Sequence, residues 1–235
     1  MYLKLAVLNN SGNVGKSTIC ENLLKPRLDN SEIIKVETIN NDGTDDKKYS
    51  SNEFSEIFQE IYSADCSIID VGASNIEDFM IKMKEFKGSH EDIDYFIVPV
   101  TPTEKQQIDS VSTIEMLQII GVDAERIKFI FNRANKKIRI EKQYSTFLNK
   151  VSQTEISTNR ISTIYETNAF SMLSKLDTTF KTVLHDDRDF RCLLREAKSK
   201  EERMSLSEER SVKRLIEGIN QEFDLAFQAL ELSHD

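Results

Sequence analysis

The most informative part of the chain is LKLAVLNNSGNVGKST, residues 3–18. Its first six residues are mostly apolar and are followed by polar turn formers, which is typical of a short buried strand. A helix is predicted to begin directly after the glycines, near Lys16. A strand, a glycine-containing turn and Gly-Lys-Ser at the head of a helix form an arrangement that binds phosphate groups.

Anion chemistry explains the residue types of the loop that we assign to this role, Gly12-Asn13-Val14-Gly15-Lys16-Ser17-Thr18. Gly15 tolerates the positive φ that lets the backbone curl close to oxygen atoms. Successive N–H groups then point into one concavity, and the helix end adds positive potential. Lys16 supplies a mobile cation for the terminal phosphates. The Ser17 hydroxyl suits Mg²⁺, which prefers hard oxygen ligands shared with phosphates.

One position departs from the generic phosphate-loop pattern, which places a glycine five residues before Gly15 where this chain has Asn10. The context still favours a phosphate site, because an apolar strand precedes the loop and a helix follows it. A second apolar strand brings Asp70 to its end, where a carboxylate suits the water shell of Mg²⁺. The alternative for Asp70 is an ordinary polar residue at a strand end.

Strand-like and helix-like segments alternate through the first 135 residues. The strands are predicted over residues 3–8, 33–39, 67–71, 95–100 and 127–132, and the helices over residues 54–62, 79–86 and 111–120. Apolar strands separated by amphipathic helices predict an α/β fold, a mostly parallel twisted sheet with helices on both faces. We expect a single nucleotide-binding domain over residues 1–235, with core motifs in 1–135 and a mainly helical completion in 136–235.

The composition argues against several other classes of protein. With 235 residues and a formal charge of -9, the chain is not expected to coat nucleic acid with its whole surface. Its three cysteines are Cys20, Cys66 and Cys192, too dispersed for a disulfide framework or a structural zinc site. No apolar stretch approaches the ~20 residues of a membrane span, and no secretory signal is visible. We therefore expect a cytoplasmic protein with no membrane span.

Residues 9–18 resemble the deviant phosphate loop of the ParA/MinD group of dimeric P-loop ATPases, which typically reads Lys-Gly-Gly-Val-Gly-Lys-Thr/Ser-Thr. Residues 67–72 resemble the strand of that group that ends in Asp, and residues 96–100 its next strand with a proline. Residues 130–133, Ile-Phe-Asn-Arg, resemble the strand end that reads the adenine base. Size and the charged C-terminal part are similar to plasmid-stability and conjugation-associated members of the StbB type.

The resemblance implies roles for individual residues. It implies that the loop from Gly12 to Thr18, together with Asn132 and Arg133, holds ATP in a nucleotide-dependent homodimer. It implies that Ser17 and Asp70 hold Mg²⁺. Catalytic roles are implied for Lys16, Asp70 and Glu37, the last as the nearest match to the strand-two Asp that organises the attacking water. A structural strand-end carboxylate is an equal alternative for Glu37.

Two positions depart from the group. The signature lysine, which reaches the partner's phosphates across the dimer, is replaced by Ser11, which is short and neutral. Asn13 replaces a glycine, although asparagine tolerates left-handed backbone geometry better than most residues. Because phosphoryl transfer depends on positioning and electrostatic stabilisation, loss of one clamping cation can lower the rate by about 10²–10³. We therefore expect Mg·ATP binding with slow hydrolysis.

The sequence leaves three functions open. The first is a nucleotide-dependent switch in plasmid or DNA partition, stability, conjugative transfer or intracellular positioning, with a partner protein that the sequence does not identify. The second is a nucleotide-binding scaffold without hydrolysis, and the third is a small-molecule kinase or ATP-dependent synthetase of the same fold. ATP and GTP are not distinguished.

A basic segment offers a DNA contact for the first of these functions. Eight Lys or Arg residues and one acidic residue lie between Arg126 and Lys150. The candidate phosphate contacts are Lys136, Lys137, Arg139 and Lys142. A solvated helix face is an equal alternative.

Overall fold

The protein was analysed as a computed structural model that describes residues 2–37, 48–50, 53–157 and 161–233. The chain divides into two compact units. The first comprises Met1–Glu166 and Leu225–Asp235, and the second comprises Thr167–Asp224.

The described residues of the first unit form a seven-stranded sheet in the order β3-β2-β4-β1-β5-β6-β7, and every neighbouring pair is parallel. The strands are β1 (Leu3–Val7), β2 (Ser31–Val36), β3 (Lys48–Tyr49), β4 (Cys66–Val71), β5 (Tyr95–Val100), β6 (Ile127–Ala134) and β7 (Ser162–Tyr165). All five residues of β1 and all six of β4 are buried, so both faces of the central strands are covered.

The α-helices are α1 (Lys16–Thr18), α2 (Phe54–Ser63), α3 (Ile76–Glu85), α4 (Glu104–Ile119), α5 (Ile140–Gln143), α6 (Ser145–Val151), α7 (Ala169–Lys175), α8 (Phe180–Leu184), α9 (Phe190–Glu196) and α10 (Lys200–Gln228). After α1 the chain stays helical, with π geometry over Ile19–Leu24 and 3₁₀ geometry over Lys25–Arg27. Residues 225–228 of α10 belong to the first unit.

The predicted α/β fold is confirmed, since the strands alternate with helices and the sheet is parallel. The apolar stripe predicted for α2 is also confirmed, because Phe54, Ile57, Phe58 and Ile61 are the buried residues of that helix. They lie in one core cluster with apolar side chains of β2, β4 and α3. Burial of such side chains contributes roughly 1.5–3 kcal/mol each.

Several element predictions differ from the structure, including the helix predicted over 79–86, which begins earlier at Ile76. β7 was not anticipated within residues 136–235, because its four residues alternate buried and half-buried and are too few for a clear period. Helix α4 begins at Glu104, seven residues before the predicted start at residue 111. The second predicted strand, 33–39, begins earlier at Ser31, and its residues 38–39 lie outside the described part of the chain.

The second unit contains α7, α8, α9 and most of α10. The Phe180 ring lies between Phe170 and Phe223, with ring centroids 6.1 Å and 5.6 Å away. Arg188 forms ion pairs with Asp186 at 2.6 Å and Glu209 at 2.8 Å. Within the described ranges, no helix is long and apolar enough to cross a membrane.

Candidate phosphate-binding site

The loop after β1 lies at the carboxyl edge of the sheet. Strand β1 pairs with β4 on one side and β5 on the other, so the loop follows the point where the strand order diverges. Ligands of open parallel sheets bind in this kind of crevice. The register places Val7 opposite Asp70 and opposite Ile97, which brings the ends of three strands to the loop.

The backbone of the loop has the curled form that the residue types predict. Gly15 has φ 91° and Asn13 has φ 57°, both in the left-handed region. The Asn13 substitution is therefore compatible with this backbone, because asparagine enters that region more readily than most residues. The Gly15 carbonyl accepts the first helical bond, from Ile19 N at 3.0 Å.

The loop presents a row of free backbone donors. In the described part of the chain, no acceptor is recorded for the seven N–H groups of residues 12–18. Four of these residues, Val14, Gly15, Lys16 and Thr18, are buried or half-buried, and N–H groups in such places are normally paired with protein, water or ligand. Consecutive free donors at the head of a helix are the usual means by which proteins bind phosphate oxygens.

Lys16 lies at the centre of this row. Its side chain is buried, and its Nζ donates to Ser11 O at 3.0 Å and Asn9 O at 3.3 Å. Burial lowers the pKa of Lys16, and the negative charge of Asp70 opposes the shift. The ammonium group is thus held against carbonyls of its own loop, which are weaker partners than phosphate oxygens.

Asp70 provides a carboxylate with an unsatisfied oxygen. The residue is 2% exposed, and its Oδ2 has no hydrogen-bond partner within the described residues. Burial raises the pKa of Asp70, whereas the Ser17 hydroxyl and the Lys16 ammonium oppose the shift. A buried oxygen without a partner is costly, which indicates that a further group completes this site.

Glu37 lies near the same groups. It is half-buried, and its backbone N donates to Tyr49 O at 3.0 Å. Its charge acts on the pKa values of both Lys16 and Asp70, in each case after larger causes. The segment that follows, residues 38–47, lies outside the described part of the chain.

Asn132 contacts the loop directly, a role that sequence patterns did not reveal. Its Nδ2 donates to Val14 O at 2.8 Å, and its Oδ1 accepts from Arg133 N at 3.0 Å. A Cβ at Gly15 would lie 2.3 Å from Asn132 Nδ2, so this glycine is also required by close approach. The Tyr144 hydroxyl donates to Asn132 O at 2.9 Å and fixes the strand end.

Two other predicted groups lie at the surface. Arg133 is exposed with φ 59°, and its side chain has no recorded partner in the described ranges. The basic segment at Lys136, Lys137, Arg139 and Lys142 occupies the turn after β6 and helix α5, and all four residues are exposed. Arg139 lies 3.3 Å from Glu141, an exposed pair of little energetic weight.

Metal-ligating clusters and cysteines do not indicate a second site among the described residues. No group of three metal-ligating side chains occurs there. Cys20 and Cys66 are buried free thiols and Cys192 is an exposed one. Burial raises the pKa of Cys20, so it is a poor nucleophile despite lying near Lys16.

No family model matches the chain, and no curated protein does so either. Among solved structures, MinD from Aquifex aeolicus superposes with a TM-score of 0.52 at 14% identity, over 92% of this chain and 97% of that one. The MinC:MinD complex of the same organism superposes with a TM-score of 0.53 at 12% identity, over 92% of this chain and 96% of that one. The ATP complex of a singly substituted Cyanothece McdA superposes with a TM-score of 0.51 at 12% identity, over 95% of this chain and 96% of that one. The chain therefore has the fold of the ParA/MinD-type P-loop ATPases.

Proposed function

We propose that the chain binds Mg·ATP and acts as a nucleotide-dependent switch. The observation that carries this proposal is the row of free N–H groups at residues 12–18 beside the buried Lys16 ammonium. Such a site binds the oxygens of a polyphosphate through many donors and one cation. Exchange of two loop carbonyls for phosphate oxygens gives Lys16 a charged partner and strengthens its hydrogen bonds.

The residues at the end of β4 fit a Mg²⁺ ion. Asp70 has a buried oxygen without a partner among the described residues, and the Ser17 hydroxyl interacts with the same carboxyl group. Mg²⁺ prefers such hard oxygen ligands and usually retains several waters. When bound, it would neutralise charge on the phosphates. Asp70 and Ser17 would hold this ion, and Lys16 would stabilise the neighbouring phosphate charge.

Asn132 and Arg133 are proposed to contact the base. Each side-chain amide has two N–H donors and two acceptor lone pairs, and Asn132 uses one of each within the protein. One donor and one lone pair therefore remain for a ligand. Asn132 would bind the base and hold the Val14 carbonyl at the same time.

We expect hydrolysis to be slow. The Ser11 hydroxyl donates to Asp109 Oδ2 at 2.9 Å, so position 11 presents no cation toward phosphate. Glu37 is proposed to orient the attacking water. This observation at Ser11 also supports the second candidate function, a scaffold that binds nucleotide without turnover. A measured hydrolysis rate equal to that of well-formed ParA-type enzymes would contradict both slow hydrolysis and the scaffold.

The likeness in fold supports a proposal for the biological role. One solved neighbour is a complex of MinD with MinC, and another is McdA bound to ATP. We propose that this chain forms a nucleotide-dependent homodimer and binds a protein partner. Partition, plasmid stability, conjugative transfer and intracellular positioning are the proposed settings, in the cytoplasm.

The basic segment after β6 is proposed to contact DNA phosphates when nucleotide is bound. Replacing Lys136, Lys137 and Arg139 by alanine should abolish ATP-dependent retention of DNA at physiological salt. The slope of log K against log salt should fall by about three, one for each lost contact. Filter binding at salt concentrations from about 50 to about 200 mM measures both quantities. The matched control, alanine at Lys175, Lys181 and Lys200, removes the same charge from exposed positions of the second unit and should retain binding.

The central experiment compares the wild type with Lys16→Ala. Calorimetry with Mg·ATP and Mg·GTP should show saturable binding by the wild type and about 10- to 100-fold weaker binding by the variant, because a charge-assisted hydrogen bond is lost. Lys150→Ala removes an exposed charge and should bind like the wild type.

The same proteins separate the candidate functions. Turnover and dimerisation that DNA stimulates would support the switch, and tight binding without turnover would support the scaffold. A requirement for a small-molecule acceptor would indicate a kinase or synthetase. Absence of saturable, magnesium-dependent nucleotide binding by the wild type would refute the proposed function.

A further inference from the structure

Helix α4 has an unusual distribution of polar and apolar side chains. Besides the apolar Ile114 and Leu117 it buries the polar Gln107, Ser110 and Thr113, whereas Ile108 and Ile119 are 54% and 75% exposed. A helix that only packs against a core buries its apolar residues instead. Buried polar groups are costly unless they are hydrogen-bonded, so the N-terminal part of α4 must have specific partners.

The partners of Ser110 and Thr113 include residues of the segment that follows β1, whereas Gln107 bonds Gln143 O and Phe147 N. The α4 side chains involved are at positions 106, 109, 110 and 113, a spacing that places them on one face of the helix. The bonds are Asn9 Nδ2 to Ser110 Oγ at 2.8 Å, Asn10 N to Thr113 Oγ1 at 3.0 Å, Ser11 Oγ to Asp109 Oδ2 at 2.9 Å and Gln106 Nε2 to Gly12 O at 3.2 Å.

The bond from Gln106 has a consequence for the anion site. A trans peptide is planar, with its C=O and its N–H pointing in opposite directions. Holding the Gly12 carbonyl toward α4 therefore directs the Asn13 N–H away from α4. Asn13 N–H is one of the free donors of the loop within the described chain. Gln106 thus fixes the direction of a donor that it does not touch.

The orientation of Gln106 is itself fixed from the other side. Its Oε1 accepts a hydrogen bond from Thr101 Oγ1, and Thr101 is 1% exposed at the end of β5. The amide group is therefore held between the strand end and the Gly12 carbonyl. A side chain held at both ends loses little additional freedom when a ligand binds.

We infer that Gln106 is a positioning residue for polyphosphate binding, acting through the Gly12 carbonyl on the Asn13 N–H. This inference rests on the proposed nucleotide binding for its effect on affinity, but the orientation of the Asn13 peptide is a property of the free protein. The remaining α4 contacts, at Asp109, Ser110 and Thr113, hold the preceding loop residues in place.

The first test replaces the amide of Gln106 without adding a charge or a branch. Gln106→Met is close in size to glutamine and lacks the donor. We expect it to weaken Mg·ATP binding about 3- to 10-fold, the effect of one lost hydrogen bond, with the melting temperature of the free protein nearly unchanged. Gln118→Met, at an exposed position of the same helix, is the matched control and should bind like the wild type.

A double-mutant cycle distinguishes positioning from a general structural effect. Thr101→Val removes the hydroxyl that orients Gln106, so it should weaken binding in the wild type and have no further effect in Gln106→Met. Additive effects of the two substitutions would overturn the inference, as would an unchanged affinity of Gln106→Met or an equal loss in Gln118→Met.

The second measurement needs no nucleotide. In ¹H–¹⁵N spectra of the free protein, the Asn13 amide resonance should move in Gln106→Met and stay in place in Gln118→Met. An unmoved Asn13 resonance would overturn the inference even if ATP binds. A moved resonance together with no ATP binding by the wild type would refute the proposed function and leave the peptide geometry supported.

Discussion

The segment from residue 9 to residue 18 has two halves, which differ in whether their backbone N–H groups have hydrogen-bond acceptors. In residues 9–11 the N–H groups of Asn10 and Ser11 donate to side chains of the protein itself. From Gly12 to Thr18 the N–H groups have no acceptor in the described chain. The first half is therefore a fixed support, and the second half is the surface that a ligand can complete.

This difference explains why Asn10 can stand where the generic pattern has glycine. The Asn10 N–H is bound by Thr113, and its side chain lies against Met116 with Nδ2 to Sδ at 3.5 Å. Side chains of α4 thus perform the fixing that a tight glycine turn performs in other phosphate loops. The cost is a buried Asn10 Oδ1 without a partner among the described residues.

Among the substitutions that test this difference, Gly15→Ala is expected to have the largest effect. The new Cβ would lie 2.3 Å from Asn132 Nδ2, at φ 91°, so both sterics and backbone geometry oppose it. We expect a loss of roughly 1–3 kcal/mol in the free energy of unfolding and loss of nucleotide binding. Urea denaturation and calorimetry measure the two effects.

Gly12→Ala is the matched control in the same loop. A Cβ there meets no atom within 4 Å, and no positive φ is recorded for this residue. Stability should change by less than about 0.5 kcal/mol, as at other unconstrained surface positions. If Gly12→Ala and Gly15→Ala were equally damaging, the positive φ and the close approach of Asn132 would not be what requires glycine at position 15.

An effect of opposite sign on stability is expected from Asp70→Asn. Because burial raises the pKa of Asp70, the ionised form is penalised in the folded protein. The free energy of unfolding of the wild type should then decrease as the pH rises from the usual aspartate range through the raised pKa. The asparagine variant should be about 1–3 kcal/mol more stable at neutral pH and lack this pH dependence.

The same substitution should remove the magnesium dependence of nucleotide binding. If Asp70 holds Mg²⁺ as proposed, the ion competes with protons for this carboxylate, so its contribution to binding should fade as the pH drops through the raised pKa. Calorimetry with and without Mg²⁺ at several pH values tests this. A variant that is less stable than the wild type and still depends on Mg²⁺ would show that Asp70 is a structural residue.

The sequence predicted the parts of the fold that local pattern specifies. Strand β5 occupies the predicted residues 95–100, and α2 buries the predicted stripe, because apolar period and burial coincide there. The loop residues could be predicted because their types are required by anion chemistry. The site assignments themselves stay predictions until a ligand is measured.

The supporting contacts could not be predicted from the sequence. Gln106, Ser110 and Thr113 look like surface residues of a helix, and only the tertiary structure shows that they bind a loop about 100 residues earlier in the chain. The interaction of Asn132 with Val14 spans 118 residues and has no local signature. Long-range side-chain to backbone bonds leave no period in a single sequence.

The outermost strands of the sheet have a consequence for association between copies of the protein. In the described part of the chain, strand β3 has two residues and β7 has four, whereas β1, β2, β4, β5 and β6 have five to eight. Short outer strands expose few unpaired backbone groups and so give little template for another strand. Lengthening of the sheet from one molecule to the next is thereby discouraged. Self-association of this chain should therefore proceed through side-chain surfaces and leave the sheet at seven strands.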